Sequence, residues 1–361
     1  MSNKAVIIDG VRSPIGTKGS PLIGMRPDEI AGQVIKGLLD RNKALNINDI
    51  EDVSLGCAFP EGPTGMLVAR GASILAGIPE TAAANVINRY CGSAMTSLHM
   101  ISSAIEAGDI EAGVAGGVED MFTIPQGGFA PDFNVKLAEE DYYISMGEGA
   151  ELLADELSIS REDQEEFSFR SHERAVEARD SGKFDNEIVP IILEDGSVLD
   201  KDSGPRNPDK EKIKSLKPAF KADGTVTAAT SSPFSIGASA MLITSENYAK
   251  KNGLKIRAYI EGRAVAGVNW TMFGSGPIPA TAKALKNTGL SMDDIDVVEI
   301  NEAFAAQALY CIRKADWDES KVDPVPAAPR DAANAARAAA QCAALLGPQR
   351  RRAGQLLETE A

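Results

Sequence analysis

The chain has 361 residues, of which 43% are hydrophobic and 25% are charged, with a net charge of −15. The composition is typical of a soluble globular protein, and the length predicts two or three domains of about 100–200 residues. The negative charge argues against nucleic acid or an anionic membrane as a partner. No apolar run reaches the ~18 residues of a membrane span, and the N-terminus lacks a signal-peptide layout, so we expect a cytoplasmic protein. The four cysteines show no disulfide or zinc spacing and predict reduced thiols without a metal site.

The first elements of the chain follow familiar patterns. An apolar run predicts a strand over residues 5–9, and helical spacing of Ile30, Val34 and Leu38 predicts a helix over 27–40. Asp28 and Glu29 fall in the first turn of that helix, where the helix dipole favours negative charge.

A cysteine lies between the next predicted strand and helix. Residues 82–88 predict a short buried strand, and residues from 92 to about 107 predict a helix from the spacing of apolar side chains. Cys91 therefore precedes the helix, whose free N–H groups and dipole favour a thiolate and could also hold an oxyanion. A buried structural cysteine is the alternative.

One segment of the chain recurs. Residues 290–304 match residues 45–59 at leucine, aspartate, isoleucine, valine, alanine and phenylalanine in the same columns. Each copy follows a predicted strand and an amphipathic helix, which favours a duplicated α/β unit.

A polar insertion separates the two copies, over residues 121–229. Ser160 precedes Glu162 and Asp163 and predicts a capped, charged surface helix over 161–181. A polar excursion of this length is usually a functional lid or a subdomain, and decoration of the fold is the alternative.

Five motifs in this order resemble the thiolase family. They are Asn88-Arg89-Tyr90-Cys91-Gly92-Ser93, Gly116-Gly117-Val118-Glu119, Gly224-Thr225-Val226-Thr227-Ala228, Gly274-Ser275-Gly276-Pro277 and Asn301-Glu302-Ala303-Phe304-Ala305. A further stretch, Leu216-Lys217-Pro218-Ala219-Phe220, is similar to thiolases of fatty-acid degradation.

The resemblance implies an α/β fold with duplicated βαβαβ halves, which form a five-layered α/β/α/β/α core with an inserted loop domain. The nucleophile half would span 1–120 and finish in 230–255, the loop domain that covers coenzyme A would span 121–229, and the second half would span 256–324. An alanine- and arginine-rich tail would follow over 325–361.

The resemblance also implies the chemistry. Cys91 would accept the acyl group of a 3-ketoacyl-CoA as a thioester and pass it to coenzyme A, or run the reverse condensation of acetyl-CoA. Asn301 would position a water beside the oxyanion. Ser232, Met146, Gly276 and Phe304 would bind substrate, although a turn serine beside Pro233 is the alternative for Ser232. Coenzyme A would be a substrate, no cofactor or metal would be needed, and the protein would form a homodimer or homotetramer.

The chain departs from the family in several places, and two of these involve a histidine. Ser145 stands where many members have a histidine before Met-Gly. After Trp317 the sequence has neither the family's Gly-His-Pro nor its Cys-X-Gly-Gly-Gly segment, which supply the catalytic histidine and the second cysteine. The only histidines are His99 and His172, and His99 lies about 12 Å along the helix from Cys91.

Residues 325–361 explain this second departure in one of two ways. They contain thirteen alanines and five arginines but no lysine or isoleucine, as an out-of-frame reading of a thiolase C-terminus would, and a divergent tail is the alternative. Three functions are therefore open: an acyl-CoA C-acyltransferase, a related condensing enzyme, and a catalytically impaired acyl-CoA-binding protein of this fold. The motif at 301–304 and the long insertion argue against the condensing enzyme.

Overall fold

The computed structural model describes residues 4–323 and the backbone of residues 355–360. The strands are β1 (Ala5–Arg12), β2 (Asp52–Gly56), β3 (Ala83–Ile87), β4 (Ala112–Asp120), β5 (Ile191–Ile192), β6 (Val198–Leu199), β7 (Ile236–Ser245), β8 (Ala258–Val265) and β9 (Gln355–Glu360). The helices are α1 (Pro27–Arg41), α2 (Val68–Leu75), α3 (Ser93–Ala107), α4 (Val135–Glu139), α5 (Met146–Glu156), α6 (Arg161–Asp180), α7 (Lys210–Lys214), α8 (Glu246–Lys251), α9 (Pro277–Thr288) and α10 (Ala305–Lys314).

One mixed sheet organises the molecule, with strand order β3-β2-β4-β7-β1-β8-β9. Strand β2 runs parallel to both β3 and β4, and β7 runs antiparallel to β4 and β1. Strands β1 and β8 pair at only two positions, Val6 with Tyr259 and Ile7 with Ala258. Strand β7 also follows the insertion, and its pairing with β4 and β1 joins the parts of the chain before and after the insertion into one sheet.

Helices cover both faces of the sheet. Alternate side chains of β1 point to opposite faces, as strand geometry requires. Val6 and Ile8 join the core beneath α1 and α2, whereas Ile7 joins a second core with Leu98 and Ile101 of α3. Gly56 allows the start of α3 to approach β2 closely, since an added Cβ would lie 2.3 Å from the backbone of Ser93 and Ala94.

The sequence predicted a buried strand at β3, and this prediction of burial was wrong. It is the outermost strand of the sheet, with Ala83 exposed and the remaining four residues partly exposed. Apolar strand residues usually predict a buried strand, but only the sheet order decides whether a strand has neighbours on both sides.

The insertion is tied to the sheet by a buried ion-pair cluster. The Arg12 guanidinium at the end of β1 contacts Glu187 and Asp202 of the insertion, each at 2.7 Å. These two carboxylates hold the pKa of Arg12 above its usual value despite burial. The cluster therefore fixes one side of the insertion against β1.

Helix α6 begins as predicted but is not a surface helix. The Ser160 hydroxyl accepts a hydrogen bond from the backbone N–H of Asp163, which caps the helix. Phe167, Ser171 and His172 are nevertheless buried, because one side of α6 packs against α10. The sequence did not predict this buried side, because α6 is highly charged and its buried residues are mostly small or polar rather than an apolar stripe.

The tail predicted to be out of frame, residues 325–361, lies outside the described residues apart from the backbone of β9, which pairs in parallel with β8. Within the described residues, no helix is both long and apolar enough to cross a membrane.

Candidate active site

Cys91 lies in a 3-10 turn, Tyr90–Gly92, between β3 and α3, as the sequence predicted. Tyr90 has a φ of 46°, a left-handed conformation that is uncommon for a residue with a side chain. The Ser93 hydroxyl closes the turn by accepting a hydrogen bond from the Arg89 N–H at 2.8 Å and donating one to the Tyr90 carbonyl at 2.6 Å. Cys91 is partly exposed at the N-terminus of α3, where the helix dipole favours a thiolate.

The other described cysteines lie in environments that suppress thiolate formation. Cys57 and Cys311 are both buried, and burial raises the pKa of each thiol, that of Cys311 to about 12. The Cys311 thiol donates a hydrogen bond to the Gly274 carbonyl at 3.3 Å. Of the three cysteines among residues 4–323, only Cys91 is partly exposed.

Asn301 lies in the second copy of the recurring segment, and both of its chain neighbours are held by hydrogen bonds. The Ile300 N–H donates a hydrogen bond to Asp323, and the buried Glu302 carboxylate accepts one from Ser171 of α6 at 2.6 Å. The Asn301 side-chain oxygen is buried and accepts no hydrogen bond from the described residues. A buried acceptor of this kind can bind a water molecule, which is the role that the resemblance implies.

Three of the predicted substrate residues lie near this segment. The Ser232 N–H donates a hydrogen bond to the Ala303 carbonyl at 2.9 Å, so Ser232 lies beside Asn301 and Phe304. The Phe304 ring packs edge-on against Phe220 with the ring centroids 5.7 Å apart. Phe220 in turn packs against Gly147, so that Met146, which is 41% exposed, borders the same cluster.

Gly276 is linked to the Phe304 and Phe220 rings only indirectly. It is buried immediately before α9, where its N–H donates a hydrogen bond to the Phe273 carbonyl at 3.0 Å. The preceding Gly274 carbonyl accepts a hydrogen bond from Gln307 of α10, the helix that follows Phe304. The structure therefore connects Gly276 to the Asn301 segment through α10.

The two histidines of the sequence lie on different helices, α3 and α6. His99 lies on α3, where burial, together with Arg263 and Arg89, lowers its pKa to about 4, so the ring is neutral at neutral pH. His172 is buried on α6. Among residues 4–323, no group of three or more His, Cys, Asp or Glu side chains is arranged to hold a metal ion.

Two residues to which the sequence assigned no role lie beside predicted site residues. Phe220 packs on Phe304, and Glu119 at the end of β4 accepts hydrogen bonds from the segment beside the Cys91 turn. Glu119 is the last residue of the second of the five motifs. A carboxylate after a run of small and apolar residues is the sequence feature that could have indicated a role for it. Burial raises the pKa of Glu119 to about 7.

Comparison with known proteins identifies the family. Residues 5–247 match the model of the thiolase N-terminal domain, and residues 254–328 match that of the thiolase C-terminal domain. The chain is 45% identical over 321 residues to a 3-ketoacyl-CoA thiolase of Photobacterium profundum, which covers 86% of this chain and 82% of the relative. It is 44% identical over 322 residues to a 3-ketoacyl-CoA thiolase of Vibrio parahaemolyticus, with 86% and 82% of the two chains covered.

Solved structures agree with these sequence matches. The dimeric peroxisomal thiolase of Saccharomyces cerevisiae superposes with a TM-score of 0.89 at 33% identity, covering 95% of this chain and 91% of the yeast chain. An acetyl-CoA acetyltransferase of Bacillus anthracis superposes with a TM-score of 0.82 at 35% identity, covering 95% and 90%. With both domain models matched in order, a shared fold and a cysteine at the start of α3, the chain belongs to the thiolase family.

Proposed function

We propose that this thiolase exchanges acyl groups between 3-ketoacyl-CoA and coenzyme A through a thioester on Cys91. It is an acyl-CoA C-acyltransferase, and its relatives are named for the 3-ketoacyl-CoA substrate. The observation that carries the assignment of Cys91 is its position: it is a partly exposed thiol at the N-terminus of α3, whereas Cys57 and Cys311 are buried.

The reaction begins when the Cys91 thiolate attacks the 3-keto carbon. The carbonyl electron pair moves to oxygen, and collapse of this adduct breaks the bond between C2 and C3. The two-carbon fragment leaves as the carbanion of acetyl-CoA and takes up a proton, while the remaining acyl group stays on Cys91 as a thioester. The thiolate of coenzyme A then attacks this thioester and frees Cys91.

The described residues support formation of the thioester. N–H groups in the first turn of α3 and a water held by Asn301 would stabilise the oxyanion, because donors aimed at developing charge lower the barrier. The resemblance assigns the proton transfers to a histidine and a second cysteine, in segments that this sequence replaces. Thioester formation is therefore the step to test first.

We propose that residues 121–229 cover coenzyme A as a loop domain, with no metal or other cofactor. Ser232 would contact the pantetheine arm, and Met146, Gly276 and Phe304 would also bind the substrate. Their support is the contact network that joins Ser232, Phe304 and Phe220 around the Asn301 segment.

A homodimer or homotetramer is the assembly we expect. The yeast relative is named as a dimer, and here β3 presents an open sheet edge beside exposed Ile74 and Leu75 of α2. An open sheet edge can pair with another chain, and exposed apolar residues beside it can mark a protein–protein interface. Light scattering that shows a monomer at micromolar concentration would contradict this assembly.

Acyl trapping tests the function directly. The protein is incubated with acetyl-CoA, digested without reducing agent and examined by mass spectrometry, with the Cys57 and Cys311 peptides as internal controls. We expect an acetyl adduct on the Cys91 peptide alone among these three. Acetylation of Cys57 or Cys311 to the same extent would refute the assignment. Bound coenzyme A without any adduct would instead favour the impaired acyl-CoA-binding protein.

A further inference from the structure

The nucleophile turn follows one of three strands that end side by side. Strand β2 lies between β3 and β4 and runs parallel to both, so their carboxyl ends meet at one edge of the sheet. The Cys91 turn follows β3, and Glu119 lies near the end of β4. Residues 57–59, which follow β2, therefore lie between Glu119 and the turn.

Glu119 holds this intervening segment from one side. Its side chain is 1% exposed and accepts a hydrogen bond from the Ala58 N–H at 2.6 Å. A longer one comes from the Phe59 N–H at 3.4 Å, and the Cys57 thiol donates at 3.6 Å. Among the described residues, no cationic side chain pairs with Glu119. A buried carboxyl without a cationic partner is costly, which suggests that its backbone contacts serve a purpose.

The nucleophile turn holds the same segment from the other side. The Ala58 carbonyl accepts a hydrogen bond from the Asn88 amide at 2.8 Å, and the Asn88 side-chain oxygen accepts one from the Tyr90 N–H at 2.9 Å. The Cys57 N–H donates to the Ile87 carbonyl at 3.0 Å, and the Phe59 ring packs edge-on against Tyr90 with centroids 6.2 Å apart. Ala58 thus connects Glu119 to the residue that begins the nucleophile motif.

We propose that Glu119 is a positioning residue for the nucleophile, acting through Ala58 and Asn88 to hold the turn that carries Cys91. Tyr90 needs such support because its left-handed backbone is unfavourable for a residue with a Cβ and persists only where the surroundings fix it. If the turn relaxes, the Cys91 sulfur loses its alignment with the first N–H groups of α3, and the thiolate is stabilised less. This proposal rests on the proposed function, in which Cys91 is the acyl acceptor.

Alkylation by iodoacetamide tests the proposal without involving substrate binding. The rate at Cys91 is measured by mass spectrometry at neutral pH, at a temperature where each variant is fully folded. We expect Glu119→Ala to react about tenfold more slowly than the unaltered protein, because a smaller fraction of the Cys91 thiol would be ionised. Glu119→Gln, which keeps an acceptor oxygen, should recover most of the rate.

Two further variants separate positioning from general destabilisation. Glu187→Gln removes a different buried carboxylate, one that pairs with Arg12 rather than with the nucleophile turn, and should leave the Cys91 rate unchanged. Asn88→Ala breaks the next contact in the series and should slow Cys91 as Glu119→Ala does, which keeps the test valid if Glu119→Ala does not fold.

An unchanged or faster Cys91 rate in Glu119→Ala would overturn the proposal, and so would an equal loss in Glu187→Gln. If Glu119→Ala does not fold, an unchanged rate in Asn88→Ala would overturn it. If Cys91 of the unaltered protein accepts neither iodoacetamide nor an acyl group, the proposed function itself fails. These outcomes are distinguishable because the last is measured before any variant is made.

Discussion

Residues 45–59 and 290–304 share a sequence pattern, and their structures begin alike. Each opens with a 3-10 turn, Ile47–Asp49 in the first copy and Met292–Asp294 in the second. Side chains close both turns: Asn46 accepts from the Asn48 N–H, and Ser291 and Asp294 bond to each other. These contacts join residues two or three positions apart, so the shared pattern is enough to specify the turn.

The two segments differ immediately afterwards. The first becomes β2, paired along its full length with both β3 and β4, whereas within the described residues the second forms two isolated bridges, Val298 with Val322 and Phe304 with Ser231. A strand needs neighbours for its N–H and C=O groups, which a local pattern cannot supply. Within the described residues, the two copies therefore share the local turn and differ in strand pairing.

Substitutions at Cys91, beside the first segment, and at Asn301, in the second, should have the largest effects on the chemistry. In the proposed mechanism Cys91 forms the covalent bond, so Cys91→Ala should abolish the acyl adduct while the melting temperature stays close to that of the unaltered protein. Asn301, in the second segment, is proposed to act on the oxyanion through a water, so Asn301→Ala should slow adduct formation by about 10²–10³-fold. Rapid quench followed by mass spectrometry measures both rates. Equal losses of adduct formation in the two variants would contradict the different roles proposed for Cys91 and Asn301.

Gly56 and Asn301 occupy the same column of the two segments, and the small residue is required in the first. In Gly56→Ala the new Cβ would lie 2.3 Å from the backbone of Ser93 and Ala94, so α3 must move and the free energy of unfolding should fall by about 3 kcal/mol.

Gly71→Ala provides the matched control for Gly56→Ala. Gly71 lies within α2, and an added Cβ would lie 3.8 Å from its nearest neighbour, Asp28, so alanine fits and should stabilise by about 0.5–1 kcal/mol. Urea unfolding compares the two variants, and a neutral Gly56→Ala would mean that α3 tolerates a shift away from β2.

The last prediction concerns the pH dependence of stability. Burial raises the pKa of Glu119 to about 7, above that of the unfolded chain, so its stabilising contribution is complete at acid pH and is lost as pH rises to about 7. The loss should be on the order of 2 kcal/mol. Glu119→Gln does not titrate, so the stability of the unaltered protein relative to this variant should decline between about pH 4.5 and pH 8. Thermal melts of both proteins at several pH values test this, and a constant difference would contradict it.

Local patterns predicted much of the site and its supporting elements. The predicted helix over 27–40 matches α1 (Pro27–Arg41), and the cap at Ser160 starts α6 at the predicted residue. Cys91 lies at the predicted strand-to-helix turn. These features depend on residues within one or two turns of each other, so the sequence alone is sufficient to specify them.

Five motifs in order were enough to identify the family from the amino-acid sequence, and local patterns were enough to place its cysteine at the start of a helix. Four other features required the folded chain: the exposed edge at β3, the buried side of α6, the position of Ser232 beside the Asn301 segment, and the support that Glu119 gives the turn before α3. Each of these depends on contacts between segments far apart in the chain. Because burial and hydrogen-bond partners are set by which elements become neighbours, a local pattern cannot fix them.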